Sequence, residues 1–174
     1  MPSNQSIQTA LSLIEQNPPQ ILNLTVGPHQ EVKPGQYIPR AEAQSAPQIS
    51  FPVASSSATY MVVALDIDAP FPSFNVLGPI LHWIQPGLKA RDGRLEITEP
   101  SVVNYIGPAP PPGSSPHRYL FFLYEQPSNF EGKAHAPPDG QNLRIWSRVR
   151  YSLDDWGKTA GLGPVLAVNY FCSN

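Results

Sequence analysis

Five side chains in this sequence could share acid–base work: Asp66, Asp68, His82, His117 and Tyr119. All five belong to strongly apolar runs. "YMVVALDID" (60–68) ends in the two carboxylates, "ILHWIQ" (80–85) carries His82, and "PHRYLFF" (116–122) carries His117 and Tyr119. Polar groups in such places need a partner or a ligand. An imidazole can take up or deliver a proton near neutral pH, and a phenol can donate to a developing anion. A carboxylate behind an imidazole fixes its tautomer.

Strand alternation sorts these groups by face. Tyr60, Val62, Ala64, Asp66 and Asp68 share one face, so the two carboxylates project together, about 7 Å apart. His117 and Tyr119 share a face. Arg118 opposes them and suits a buried acid. His82 faces away from Trp83, and Tyr170 shares a face with Val168 and Leu166. Asp66 also suits a cap on the turn at 69–73. One arrangement gathers the five at a single pocket mouth that binds an anion. Residues 107–116, "GPAPPPGSSP", hold five prolines and two glycines. Such a segment makes a stiff pocket wall with little ordering cost.

The elements that must position these groups read mostly as strands. "ILNLTV" (21–26), "QISFPV" (48–53), residues 60–68, residues 80–85, "YLFFLYEQ" (119–126), "LRIWSRVRY" (143–151) and "PVLAVNYF" (164–171) alternate or run apolar between Pro/Gly breaks. Residues 119–126 are apolar on both faces and belong in the middle of a sheet. "PSVVNYIG" (100–107) is a strand or an extended segment. Residues 27–47 and 127–142 read as loops, and "DGR" marks a loop tip. Helical spacing at Ile7, Leu11 and Ile14 predicts a helix over 7–16, stopped by "NPP". Residues 152–160 predict a second, capped by Ser152 with Asp155 three residues on and stopped by Gly161. The expected fold is an all-β sandwich with two short helices, a single domain over 1–174.

Proline is the compositional outlier, at 22 of 174 residues. The prolines punctuate elements, since 41% of the chain is apolar and Pro plus Gly stays below the low-complexity range. A net charge of −2 with 14% charged residues lacks the basic footprint of nucleic-acid binding. No apolar run is long enough to cross a bilayer. The N-terminus has neither a charged n-region nor an unbroken apolar h-region, so no signal peptide is expected. Cys172 is the sole cysteine, which suits a reducing compartment and a cytoplasmic location.

Four stretches together resemble the phosphatidylethanolamine-binding protein family: "DIDAP" (66–70), "LHW" (81–83), "GPAPPPGSSPHRYLFFLYEQ" (107–126) and "GLGPVLAVNYF" (161–171). Their order and spacing agree over residues 60–171, and "FPSFNVLGPILHWIQPGLK" looks most like the branch found in filamentous fungi. The resemblance implies a Greek-key β-sandwich with a small anion pocket. Asp66 and Asp68 match the family's two aspartates, His82 its pocket histidine, and His117 and Tyr119 its H-R-Y motif. Pro110 and Pro111 match its wall prolines, and Tyr170 resembles an aromatic that closes the pocket. Ile67 departs from the usual proline and Ala109 from a common glycine. The chain ends four residues after Tyr170, where animal members continue into a helix, so a more open pocket is expected.

Two functional readings follow. The first is a binding module for phosphate, phosphoryl head groups or carboxylates, regulating a protein as family members that inhibit serine carboxypeptidases or kinases do. The second is an enzyme, as for fungal members linked to cyclising dimerisation of anhydride-bearing polyketides. Then His117 or His82 is the general base. Tyr119 and the other imidazole stabilise the enolate or carboxylate. Asp68 orients a histidine while Asp66 supports the turn. The expected ligand is a small anion or an anhydride or carboxylate substrate, and the partner a protease or a biosynthetic enzyme. No cofactor is expected. Two His and one carboxylate also match a non-haem iron site, but no close His pair supports a metal. There is no G-x-S-x-G for hydrolase chemistry. Arg144, Arg148 and Arg150 form one basic strand face with Trp146 among them, which reads as solvated.

Overall fold

The computed structural model describes residues 5–16, 20–136 and 142–174. Its strands are β1 (Asn23–Thr25), β2 (Gln36–Tyr37), β3 (Gln48–Ser50), β4 (Thr59–Asp66), β5 (Ile80–Arg91), β6 (Arg94–Ile97), β7 (His117–Glu125) and β8 (Ala167–Ser173). They hydrogen-bond into one sheet in the order β1-β3-β6-β5-β4-β7-β8-β2. Helices α1 (Gln5–Glu15), the one-turn α2 (Gly132–His135) and α3 (Leu153–Ala160) complete the regular structure, with 3-10 turns at Arg40–Glu42 and Ile145–Ser147.

β4 and β7 sit centrally because their residues are apolar on both sides, and a strand of that kind must be covered on both faces. Alternation along β4 splits the core in two. Tyr60, Val62 and Ala64 pack with Trp83, Tyr119, Phe121 and Phe171, while Met61, Val63 and Leu65 pack with Leu81, Leu120 and Phe122. α1 and α3 lie on the second cluster, through Ala10, Leu13 and Leu153. Ser152 accepts a hydrogen bond from the Asp155 N–H, and Gly161 ends α3 in the left-handed conformation (φ 69°). The β5–β6 hairpin turns on Asp92 and Gly93, both with positive φ, as a two-residue hairpin loop requires.

The sheet curls. β5 slips register against β4 twice, once between Ala64 and Leu65 and once between Tyr60 and Val62. Such bulges bend a strand and increase its twist. The curl carries the chain ahead of β1 back to β8, where Ile21 bridges Val168. The Asn169 amide holds this junction from inside. Its Nδ2 donates to the Leu22 and Val32 carbonyls and its Oδ1 accepts from the Tyr170 N–H.

Three expectations change. The segment 27–47 contains β2, which runs parallel to β8 and is too short to show a period. The segment 143–151 is no strand. It carries a 3-10 turn, and Arg148 is pulled inward to 1% exposure while Trp146 stays 77% exposed. Arg148 donates to the carbonyls of Leu143, Leu81 and Asn104 and to Asn104 Oδ1, so the segment is stapled to β5 through its guanidinium. The three arginines therefore share no face. The expected loop 127–142 carries the one-turn helix α2, a third helix where two were expected, and its residues 137–141 lie outside the described residues.

Two substitutions test these staples. Arg148→Lys and Asn169→Leu each leave buried carbonyls unpaired at roughly 1–3 kcal/mol apiece. Each should lower the midpoint of thermal unfolding by about 5–10 °C, given roughly 2–4 °C per kcal/mol at this size. A circular-dichroism melt within a degree of the parent chain would refute the role assigned to either side chain.

Candidate functional site

The polar ends of β4 and β7 meet because the two strands are antiparallel and Asp66 pairs with Tyr119 in register. Asp66 accepts a hydrogen bond on Oδ1 from the Asp68 N–H, an Asx turn that closes β4. Its Oδ2 lies 2.8 Å from His117 Nδ1, and both side chains are almost wholly buried.

His117 faces oxygen on both nitrogens. Nδ1 donates to Asp66, and Nε2 lies 3.1 Å from the Pro70 carbonyl and 2.9 Å from Ser114 Oγ. Burial by itself lowers the pKa of this imidazole. The Asp66 hydrogen bond and charge, the Asp68 charge and the Pro70 carbonyl outweigh it and hold the ring above its ordinary 6.5. An imidazolium donates from both nitrogens and has no lone pair left to act as a base. The stiff segment before it has a clear local role. Pro111 to Ser114 is a turn closed by the Ser114 N–H on the Pro111 carbonyl, with Gly113 at φ 80°. Proline and then positive-φ glycine at the two central positions make it a type II turn. That turn delivers the Ser114 hydroxyl to His117.

His82 has the opposite character. It is the residue skipped at the first β5 bulge, where Ala64 pairs with Trp83 and Leu65 with Leu81. The bulge breaks the alternation, so His82 reaches the cluster that also contains Trp83 and does not face away from it. Its ring lies edge-on to Tyr119 with centroids 5.1 Å apart. Nδ1 donates to the Ile106 carbonyl at 2.7 Å, which leaves the lone pair on Nε2. Burial is the largest influence and holds the pKa below 6.5, helped by the charges of Arg148 and His117 and opposed by Asp66 and the Ile106 carbonyl. The neutral form is therefore favoured at neutral pH. Tyr119 stacks on Phe171, and its buried hydroxyl makes no well-aligned hydrogen bond among the described residues, although the Asp66 carboxylate lies near enough to act on it. Burial foremost, then the Asp66 charge, raises its pKa well above 10.

Four of the sequence-derived groups thus converge: Asp66, His82, His117 and Tyr119. Asp66 takes both roles expected to be divided between the two carboxylates, since it closes the turn and also meets the histidine. Asp66 orients the histidine, while Asp68 holds Arg118, accepting from its backbone N–H, Nε and Nη2 at 2.7–2.9 Å. Tyr170 lies on the other face, since it pairs with Leu120 and only Phe171 pairs with Tyr119. Pro110 is buried and Pro111 half-buried in the wall segment. The cluster is also more closed than expected, with no more than 5% of Asp66, His82, His117 or Tyr119 exposed.

Sequence reasoning missed Pro70, Ile106 and Phe171, which act through backbone carbonyls or ring packing. It also passed over Ser173, which pairs with His117 and whose buried hydroxyl has no hydrogen-bond partner among the described residues. Ser114 was readable only through the P-P-G-S turn signature. Among the described residues, no group of three or more His, Cys, Asp or Glu side chains is arranged to hold a metal ion.

A family model described as phosphatidylethanolamine-binding protein matches residues 28–171. The chain is 34% identical over 156 residues to the phomoidride biosynthesis cluster protein N of Talaromyces stipitatus, covering 80% of this chain and 77% of that one. It is 26% identical over 143 residues to the carboxypeptidase Y inhibitor of Saccharomyces cerevisiae, covering 74% and 65%. It superposes on the crystal structure of carboxypeptidase Y inhibitor complexed with its cognate proteinase at a TM-score of 0.71, with 24% identity and 99% of both chains covered. The phosphatidylethanolamine-binding protein from Plasmodium vivax superposes at 0.68, with 18% identity over 99% and 98% of the two chains. The chain belongs to the phosphatidylethanolamine-binding protein family.

Proposed function

We propose that this protein, on a Greek-key β-sandwich scaffold, binds a small carboxylate- or phosphate-bearing molecule at the His82–Tyr119 cluster and moves a proton on it. The substrate class is an anhydride polyketide intermediate, and the setting is its cyclising dimerisation in fungal natural-product biosynthesis, in the cytoplasm. The observation that carries the reading is the buried Tyr119 hydroxyl, which makes no well-aligned hydrogen bond among the described residues, set against a neutral imidazole with a free lone pair. A buried hydroxyl donor left unpaired is a place for a ligand oxygen. The 34% identity to a protein named for a phomoidride biosynthesis cluster supports the substrate class.

In this mechanism His82 Nε2 removes a proton from the alkyl carbon attached to the anhydride's ring C=C, which conjugation to the carbonyl acidifies. The C–H bond breaks, the proton goes to Nε2, and the electron pair moves onto the carbonyl oxygen. The Tyr119 hydroxyl donates to that oxygen as its charge develops. The carbanionic carbon then adds to the ring C=C of a second monomer, whose π pair moves onto its own conjugated carbonyl oxygen, and that second enolate takes back the proton held on His82 Nε2. His117 is a positioning residue, because both its nitrogens donate and leave no lone pair for a base, and it clamps Asp66, Pro70 and the Ser114 turn around the site. Substrate entry requires the turn after β4 and the 107–116 segment to part.

The near-closure of the cluster favours a second reading, a regulator that contacts a serine carboxypeptidase through its surface. The shared fold with carboxypeptidase Y inhibitor bound to its proteinase supports that partner class.

Incubation with an alkyl maleic-anhydride monomer, with the cyclised dimer quantified by mass spectrometry, separates the two. His82→Gln should reduce turnover by about 10²–10⁴-fold, and Tyr119→Phe by about 10²–10³-fold. No turnover by the parent chain, together with tight inhibition of a serine carboxypeptidase, would replace the first reading with the second. The pH profile is a further check. The reaction needs neutral His82, whose pKa lies below 6.5, so the rate should stay level from neutral pH down to 6.5 and be lost only at lower pH. An acid limb centred above 6.5 would exclude His82 as the base.

A further inference from the structure

The 3-10 turn at Arg40–Glu42 lies on the Tyr119 face of the sheet, because Ile38 and Ala43 on either side of it are buried in the same cluster as Tyr119 and Phe171. It is tied to the proline-rich wall. Gln44 Nε2 donates to the Arg40 carbonyl at 2.8 Å and to the Pro108 carbonyl at 3.1 Å, and the Tyr105 hydroxyl donates to the Ala43 carbonyl at 2.9 Å. It is also tied to β8, where the Ile38 N–H donates to the Cys172 carbonyl. Arg40 therefore stands where the wall segment meets the cluster. It is exposed, and its guanidinium has no hydrogen bond or ion pair among the described residues, while the nearby Glu42 is engaged by His29.

The charges around the cluster do not balance. Asp66 offsets His117, and Asp68 offsets Arg118. Two guanidiniums remain. Arg148 donates to backbone carbonyls and to Asn104 Oδ1, none of them a carboxylate, and after burial its charge is among the influences that keep His82 neutral. Burial foremost, then the Asp66 charge, raises the Tyr119 pKa, and the Arg40 charge opposes them. A site with a surplus of one sign of charge concentrates ligands of the other.

We propose that Arg40 is a ligand-binding residue of this site, seating a carboxylate at the edge of the cluster. The inference rests on the reading that the His82–Tyr119 cluster takes a ligand, and not on the reaction. A guanidinium fork matches a carboxylate with two parallel hydrogen bonds. His82 Nε2 keeps a lone pair, which repels an anionic oxygen. A carboxylate carries its charge at one end and can keep it on Arg40. A phosphate ion spreads oxygens over all its sides and cannot. The ligand class thus narrows to carboxylates.

The test is a calorimetric titration with citraconate, using citraconimide as its neutral ring-closed counterpart and inorganic phosphate as the other anion. The His82 ring signal in the NMR spectrum, assigned with His82→Gln, reports the location. Citraconate should bind and move that signal, and the imide and phosphate should bind at least about tenfold more weakly. Arg40→Gln should weaken citraconate about 10- to 100-fold. Arg40→Lys should recover part of the loss, and Arg94→Gln, the same change of charge at an exposed position on β6, should bind as the parent does. The proposal is overturned if citraconate does not bind or leaves the His82 signal unmoved, if the imide or phosphate binds as tightly, if Arg40→Gln binds as the parent does, or if Arg94→Gln weakens binding equally. None of these readouts needs turnover, so a chain that dimerises nothing can still meet them. Dimerisation by Arg40→Gln at the parent's KM would overturn the proposal and leave the reaction standing.

Discussion

Asp66 and His117 touch at 2.8 Å in a place almost without water, and the surrounding architecture is organised by that contact. Removing two charges from solvent is expensive, several kcal/mol per ion, unless the remaining donors and acceptors are met. Here they are. The second Asp66 oxygen takes the Asp68 N–H, and the second His117 nitrogen takes Pro70 and Ser114. One ion pair therefore fixes the end of β4, the turn after it, and the far end of the proline-rich segment. That is three pieces of chain lying up to fifty residues apart in sequence, held by one imidazole.

The same pair sets the difference between the two histidines. His117 is held above its ordinary pKa by a partner carboxylate, and His82 below it by burial. Two titratable groups of one type, in one cluster, are pushed in opposite directions by their surroundings, a pattern that divides acid and base roles. The linkage to folding follows the signs. His117 contributes stability that is full below pH 6.5 and fades as pH rises through its raised pKa. His82 opposes folding as pH falls below 6.5, where the unfolded chain takes up a proton that the folded site refuses.

Much of this was legible in the sequence. Alternation in 60–68 placed Asp66 and split the core correctly, because β4 is regular until its last residue. The capped helix at 152–160 was readable from Ser152, Asp155 and Gly161, since caps are local chemistry. The motifs at 66–70, 81–83 and 107–126 carried the family. What escaped was whatever depends on irregular backbone. A bulge at His82 reverses a face and leaves no mark in a period-two pattern. That Asp66 alone serves both the turn and the histidine depends on an Asx turn that redirects the second carboxylate to Arg118. The arginines of 143–151 alternate as a strand would, yet the buried guanidinium of Arg148 decides the conformation through carbonyls on β5 and at Asn104. Tyr170 and Phe171 differ by one position, and one position is enough to change sides of a sheet.

The closing of the curled sheet by Ile21 on Val168 has a colloidal consequence. An open β-sheet ends in a row of unpaired N–H and C=O groups, which is a template for adding another chain. Here the approach to β1 exchanges hydrogen bonds with Val168 of β8, through the Leu22 N–H and the Gln20 carbonyl, and the outer strand β2 is only two residues long. Little ladder is left for a neighbouring molecule to extend, so a chain this rich in buried strand can stay dispersed when crowded.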